Sequence, residues 1–550
     1  MIGSARKTAG RPQQRNHDVT RYPAPIGGID NRLALGSNDL NHCVYTYNLM
    51  PNVDGMRVRE GYREWQIGVN GGASAGVHTL IPFNSSDNAI DDKLFAVNNE
   101  GIWDVSVYGA TPIQMATFAN VLDVAGYGTF TRHVNQAEVD IMFYADSVNG
   151  LWEYTVSTNT WAVPTGITGV SVAAINFVMV FKNNVWFGVQ DGTVGYYLPI
   201  LANAGAVTKQ YFGDKFRLGG ALKGMFSWTV DGGNGVDDIL IVVSSSGDVI
   251  VYQGDGPDAD NWGMKGVYYI GQIPNTPRFG SEQGGELYLL SAYGVVSMND
   301  LLQGVDSATL MSDLEAHGSM AAKIAGSIRH KMRLSINVPG WDVATVPSLG
   351  GILISAPQYG SQAHEQFYYN IATRGWGIWR GVPIECFTNF ADSVFVGTED
   401  GRVLIMDSPV DNALLTPVSP PINGDDIDFS ILTSFSSMGS DGIFKRVHLI
   451  RPDFVSTIAP SHSSQARYDY DIAEGLNVSL DPPVDATVAI WDAAAWDLAL
   501  WGDDAGVTFP SIGGSWGLGR YCAIATKGSS RTDTNLIGWD IIYTSGGPMI

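Results

Sequence analysis

The fold is decided by ILIVVSSSGDVIVYQG, Ile239–Gly254, with the acidic loop Asp255–Asn261 behind it and ELYLLSAYGVVSM, Glu286–Met298, further on. Each is an apolar β run, a short polar turn containing Gly, and a second apolar β run, which is the pattern of a β-hairpin. The same phrase recurs at Leu94–Val105, Ile141–Tyr154, Val185–Tyr197 and Ser393–Met406, with a looser copy at Gln366–Trp379. The turn glycines Gly101, Gly150, Gly192, Gly247, Gly294 and Gly401 fall at intervals of 49, 42, 55, 47 and 107 residues, and the looser copy lies inside the double interval. A period of roughly 45–50 residues carrying several short strands predicts propeller blades. Seven hairpins predict seven blades, with six as the alternative. Met56–Gln66 reads as a first strand that supplies the outer strand of the last blade and closes the ring.

Composition agrees. The chain has 550 residues, 65 of them Gly, with 11% aromatic and only 16% charged residues. Many short Val, Ile, Tyr and Trp runs between Gly, Asn and Asp predict an all-β protein with more than one domain. Aromatics that follow the hairpins, as in Asn159–Pro164 and Gly375–Trp379, are placed to pack between blades. Ser312–Lys331 breaks the β pattern with helical spacing, Ser312 as N-cap and Glu315 three residues on, and reads as an insertion between blades.

The Pro- and Asp-rich stretch Leu414–Asp426 marks a domain boundary by composition. The divisions expected are an N-terminal arm and lead-in at 1–55, a β-propeller at 56–410, and a C-terminal β-sandwich at 411–550. The sandwich rests on short strands at Ile427–Ser434, Lys445–Pro452, Ala466–Ile472, Leu476–Leu480, Gly519–Thr526 and Leu536–Thr544, with Trp491–Trp501 between them. Ahead of the fold, Arg6, Lys7, Arg11, Arg15 and Arg21 stand against one acid, Asp18, in the first 21 residues. That basic arm on an acidic chain reads as a tail for a partner to order.

Charge narrows the function. The net −23 is the opposite of what a protein gripping nucleic acid through its phosphates carries. Three dispersed cysteines, Cys43, Cys386 and Cys522, form no metal spacing and no disulfide framework, so buried thiols and folding in a reducing cytosol are expected. The longest apolar run, Val170–Phe181, is too short for a bilayer, and the N-terminus lacks the apolar core of a signal peptide.

Chemistry is sparse. Two GxSxG matches, Gly72–Gly76 and Gly513–Gly517, lack the strand–turn–helix setting of a hydrolase elbow, and the nine histidines are scattered. Asp231, Asn234, Asp237 and Asp238 are weak candidates for Ca²⁺ oxygens, set against the turn-forming habit of Asp, Asn and Gly. Asp255, Asp258 and Asp260 form a second acidic loop, a candidate for the loops that would narrow the bore if the chain helps to form a channel. No catalytic residue and no cofactor is expected.

Several phrases together resemble one family. Pro25–Leu35 (PIGGIDNRLAL) and Tyr47–Tyr62 (YNLMPNVDGMRVREGY) are similar to its opening, Thr229–Trp262 and Gly266–Met298 to its middle, and Phe444–Pro452 with Trp491–Trp501 to its end. On these the chain resembles the tail nozzle proteins of short-tailed bacteriophages (podoviruses) along nearly its whole length. The resemblance implies a structural virion protein with a β-propeller, assembled in the host cytoplasm as a homohexameric ring of the tail. Its partners would be the portal and adaptor above, needle, fibre or spike proteins, and genomic DNA crossing the lumen without sequence recognition. The best-known nozzles are longer, and plug proteins nearer the portal share this size and propeller content, so the tier stays open. The alternative from another class is a tail-associated propeller that binds or degrades host glycans. Degradation would need two carboxylates across a cleft, and the Ser-x-Asp-x-Gly-x-Thr-Trp repeat of sialidases is absent.

Overall fold

The computed structural model describes residues 17–32, 35–36, 38–69, 76–231, 236–283, 285–302, 322–360, 364–413, 424–439, 441–474, 507–510 and 513–546. Within them the chain is nearly all-β and its centre is a β-propeller, built from antiparallel sheets that follow one another in sequence. The first sheet holds Thr79–Phe83, Lys93–Val97, Gly101–Asp104 and Ile113–Thr117, and the second Gly128–Val134, Asp140–Asp146, Gly150–Thr155 and Thr160–Ala162. The third holds Ile175–Phe181, Asn184–Val189, Val194–Tyr197 and Thr208–Tyr211, and the fourth Leu222–Asp231, Val236–Ser244, Asp248–Gln253 and Gly263–Tyr269. The fifth has three strands, Gly280–Gln283, Glu286–Ser291 and Gly294–Ser297. The sixth runs through Asp342–Val346, Gly351–Ser355, Glu365–Asn370 and Gly375–Arg380. The seventh takes Cys386–Phe390, Ser393–Gly397 and Val403–Ser408 from one end of the propeller segment and Gly61–Gln66 from the other.

That last pairing closes the ring, with Gln66 opposite Val403 and Gly61 opposite Ser408. The expected strand Met56–Gln66 is in fact two. Gly61–Gln66 closes the propeller, while Gly55–Val58 turns away to pair with Leu49–Asn52 and with Thr534–Gly546.

Six of the seven repeated phrases are the second and third strands of their sheets. The looser copy, Gln366–Trp379, is instead the third and fourth, the Glu365–Asn370 and Gly375–Arg380 pair. Its register in the repeat is shifted by one strand because two strands, Asp342–Val346 and Gly351–Ser355, precede it in its sheet, and its last strand also continues the sheet outward through Cys43–Tyr47.

Apolar cores sit between neighbouring sheets. Phe95 of the first packs edge-on against Trp161 of the second at 5.3 Å, so this Trp is the wedge its position implied. Trp379 of the sixth stacks on Tyr368 at 5.8 Å and joins Val394, Val396 and Leu404 of the seventh. A fully buried side chain of this size contributes about 2–3 kcal/mol, which makes these wedges the main cement between blades.

Among the described residues the fifth sheet is followed by Met298–Leu302 and then by the helix Ala325–Ser335, with Ile328 and Met332 in the core. The inserted helix therefore stands between the fifth and sixth sheets and runs past Lys331. Ser312 and Glu315 lie outside the described residues.

The C-terminal strands do not form a separate body. Ile427–Thr433, Cys522–Ser530 and Ser461–Tyr468 join Cys43–Tyr47 and the sixth sheet in one eight-stranded sheet. Facing it, Phe444–Ser456 and Thr534–Gly546 pair with each other and with the N-terminal strands Asp18–Pro23 and Gly55–Val58. The two sheets share a core: Phe429 meets Phe454 at 6.0 Å, and the Trp539 indole N–H donates to Thr526 Oγ1 at 2.9 Å. The strand expected at Ala466–Ile472 ends at Tyr468, and Leu476–Leu480 and Trp491–Trp501 lie outside the described residues.

Candidate functional site

Strand order dictates what faces where. Successive antiparallel strands alternate direction, so each blade-to-blade connection and each turn between a second and third strand lies on one face of the propeller. The turns between first and second, and between third and fourth, lie on the other. Most of the turn glycines of the repeat thus belong to the face where the inner strands begin.

At that end the shaft is filled. Arg278, two residues ahead of the fifth sheet, sends Nε to Asp342 Oδ2 at 2.9 Å, Nη1 to Thr79 Oγ1 at 2.6 Å and to the Gly128 carbonyl at 3.0 Å, and Nη2 to the His78 carbonyl at 2.9 Å. Its partners come from the first, second and sixth sheets, so one guanidinium ties the ring across its axis. Thr79 completes the knot by donating to the Gly126 carbonyl at 2.6 Å. Burial pushes the Asp342 carboxyl above the usual carboxylate range, against the pull of Arg278. The ion pair is consequently a local lock more than a source of net stability, since desolvating both charges offsets most of their attraction.

Next to the lock, the His78 ring stacks on Tyr127 at 4.2 Å, and the Tyr127 hydroxyl donates to Glu385 Oε2 at 3.2 Å. Burial is the main cause that lifts the Glu385 carboxyl to about 7, with Glu399 adding to it and the Tyr127 bond opposing it. His78 is held down by burial and binds the Ala125 carbonyl through Nδ1 at 2.8 Å.

Tyr127 and Pro277 also border a cavity of about 410 Å³ that opens on the same face. It is walled by Asn176 and Lys223 from the inner strands, by Ser147, Gln190, Asp191 and Ser245 from the turns, and by Asn275 and Pro339 from the connections. Lys223 Nζ donates to Asn275 Oδ1 at 3.2 Å, and burial lowers its pKa while Asp191 opposes the change. No motif in the sequence marks Arg278 or Lys223, because their partners lie on other sheets or connections, 52 to 200 residues away in sequence.

The residues singled out from sequence sit elsewhere. Asp231 ends the inner strand of the fourth sheet and pairs with Val236 across the turn, with Asp237 and Asp238 at the start of the next strand. Asp238 Oδ1 accepts from Thr229 Oγ1 at 2.9 Å, while Asn234 lies outside the described residues. No group of three or more His, Cys, Asp or Glu is gathered for a metal among the described residues. Asp255, Asp258 and Asp260 lie in the loop between the third and fourth strands of that sheet, at its outer margin and on the face opposite the cavity. The loop is held by Asn261, whose amide donates to Asp255 Oδ2 at 2.7 Å, and by Tyr197, whose hydroxyl donates to Asp258 Oδ1 at 2.9 Å. Asp260 is exposed.

Of the basic arm, Arg6, Lys7, Arg11 and Arg15 lie outside the described residues, whereas Arg21 is in a strand and pairs with Asp453 at 3.0 Å. The three cysteines are buried and free, and burial raises each thiol, Cys522 to about 12. Gly513–Gly514 is a short strand paired with Phe444–Ser456, and the match at Gly72–Gly76 is described only at Gly76. Among the described residues no helix is long and apolar enough to cross a membrane.

No family model and no curated protein matches the chain. Among solved structures it is similar to PorZ, an essential bacterial surface component of the type-IX secretion system of Porphyromonas gingivalis, at 12% identity and a TM-score of 0.36. That alignment covers 71% of this chain and 44% of PorZ, so the chain spans less than half of that protein. It is also similar to YCF48 bound to D1 peptide (11% identity, TM-score 0.35) and to the WD40 β-propeller domain of Doa1 (10%, 0.36), covering 63% of this chain and 97% of each. These are likenesses of fold alone, and the propeller assignment rests on the sheet order above.

Proposed function

We propose that the chain is a structural virion protein: a tail nozzle subunit that forms a closed ring, extends the DNA channel, and retains and then conducts the genome. The observation that carries this reading is the end of the shaft that Arg278 fills. Arg278 fastens three other segments across the axis, so the propeller serves as a rigid block and not as a tube for nucleic acid. A conduit must then lie between copies, with propeller margins as its wall. The acidic loop Asp255–Asp260 projects from such a margin, and acidic walls oppose adhesion of a polyanion within about a Debye length, ~8–10 Å. The basic arm at 1–21 extends toward a neighbouring ring of the tail. Resemblance along nearly the whole chain supports a place in a tail ring and the six-fold number, with the tier, nozzle or plug, left for particle imaging to assign.

Native mass and particle imaging of the purified tail test this. A hexameric ring is expected, and a monomer within intact virions would overturn it. Purified protein is expected to hydrolyse no glycan, ester or peptide; turnover of host capsule lost on changing one Asp or Glu would replace the structural reading with the enzymatic one. A lumen lined predominantly by Lys and Arg would refute the acidic-wall argument alone.

A further inference from the structure

The cavity beside the axial lock has a chemistry that neither the lock nor ring assembly uses. Its polar groups come from the second, third and fourth sheets and the connections beside them, yet few of them are spent on one another. Asn176, Gln190, Asp191 and Ser147 line it and make no side-chain hydrogen bond among the described residues. Lys223 uses one of its three donors, on Asn275 Oδ1 at 3.2 Å, and makes no ion pair within 4.0 Å. Asp191 is exposed at the rim, whereas Lys223 and Asn176 are half-buried deeper in. The cavity thus offers a recessed cation, two carboxamides able both to donate and to accept, a hydroxyl, and a rim carboxylate able only to accept.

We propose that this mouth binds a small hydroxylated carboxylate of acidic-monosaccharide size, its carboxylate on Lys223 and its hydroxyls shared among Asn176, Gln190 and Asp191. The pairing follows from complementarity. A carboxylate supplies the contact ion pair that Lys223 lacks, Asp191 acting on it only from beyond 4.0 Å, and such charge-assisted bonds are roughly twice as strong as neutral ones. Hydroxyls both donate and accept, so they satisfy carboxamides and an acceptor-only Asp191 together. An anion without hydroxyls would face Asp191 with nothing to donate. The cavity volume of about 410 Å³ is within the range of small-molecule pockets. Partly desolvated Lys223 is also favoured electrostatically by an incoming anion, since burial has weakened its hold on its proton.

The site does not depend on ring assembly, and the test uses the full chain. Calorimetric titration with sodium glucuronate is expected to give saturable one-site binding. Glucose and acetate, each lacking one half of the chemistry, are expected to bind at least about tenfold more weakly. Lys223→Met should lower glucuronate affinity by about tenfold or more, and Asn176→Ala by several-fold, with melting temperatures unchanged. Asp258→Asn, on the opposite face, should leave binding untouched. Absence of saturable glucuronate binding would overturn the proposal, as would acetate or glucose matching glucuronate. Should Lys223→Met fail to fold, the Asn176→Ala titration decides: unchanged affinity there rejects the site.

Discussion

Two arginines hold this molecule together, and they do so differently. Arg59 sits where the lead-in, the sixth sheet and the exit of the seventh sheet meet, with its side chain 1% exposed. All five of its N–H groups have acceptors: Asn48 Oδ1, the carbonyls of Glu60 and Arg380, and both oxygens of Asp411 at 2.8 and 2.6 Å. Arg278 fills the axis, and its carboxylate partner Asp342 is 4% exposed against 13% for Asp411. The junction arginine is thus the better satisfied, while the axial one leaves the more deeply buried anion if removed. Satisfaction measures how well a node is built; the burial of the abandoned partner measures what its loss costs.

The largest effect should therefore come from the axis. Arg278→Met strands the Asp342 carboxylate and two carbonyls, and the expected loss is about 3–5 kcal/mol. Chemical denaturation measures it, and part of the loss should return at acidic pH as Asp342 takes up a proton. A variant as stable as the parent at neutral pH would show that the shaft does not need its lock.

The second effect belongs to the same region and has a sign fixed by protonation. Glu385 is lifted from 4.5 to about 7 in the folded protein, so between those values the folded state binds more protons than the unfolded one. Stability contributed by its protonated form is intact below about pH 4.5 and is lost as pH rises through about 7, up to about 3 kcal/mol. Glu385→Gln should flatten that slope and raise the melting temperature above pH 7. Parallel slopes for variant and parent would place the ionisation elsewhere.

Arg59→Leu is expected to cost somewhat less, about 2 kcal/mol, because Asp411 is nearer water and the loss falls on unpaired carbonyls. Proteolysis of the variant should release the flanking sheets before the propeller. Simultaneous unfolding of both would mean the junction is as central as the axis. The smallest change is Arg21→Ala: its pair with Asp453 is half-exposed, and thermal melts should move by no more than about 1 kcal/mol in stability.

The repeat was legible because its cause is local. Alternating apolar residues and a turn glycine make a hairpin regardless of its surroundings, and Gly247 shows why the glycine is needed: at φ 94° a Cβ there would lie 2.0 Å from the Gly271 carbonyl oxygen. The shift at Gln366–Trp379 was not legible, since a hairpin of third and fourth strands reads in sequence like one of second and third, and the two strands that precede it, Asp342–Val346 and Gly351–Ser355, are what set its place. The same holds for the candidate sites. Clustered acids such as Asp255, Asp258 and Asp260 are conspicuous in sequence yet spread along a peripheral loop. The convergent groups of the mouth are scattered over the second, third and fourth sheets and the connections beside them, each surrounded by ordinary strand or turn sequence, with no spacing to betray them.

The interlocked ends also govern when the protein can become itself. Tyr22 reaches the Cys522 carbonyl, 500 residues away, at 3.5 Å, and the closing strand Gly61–Gln66 waits for Val403–Ser408. At roughly 5–20 residues per second of synthesis, the earliest strands spend about 25–100 s without their partners. During that interval the ribosome-bound chain presents unpaired strand edges, the surfaces on which β proteins aggregate. A ring of blades whose first strands are fastened last is complete only after its C-terminal strands emerge, so the order of translation itself sets when the fold can close.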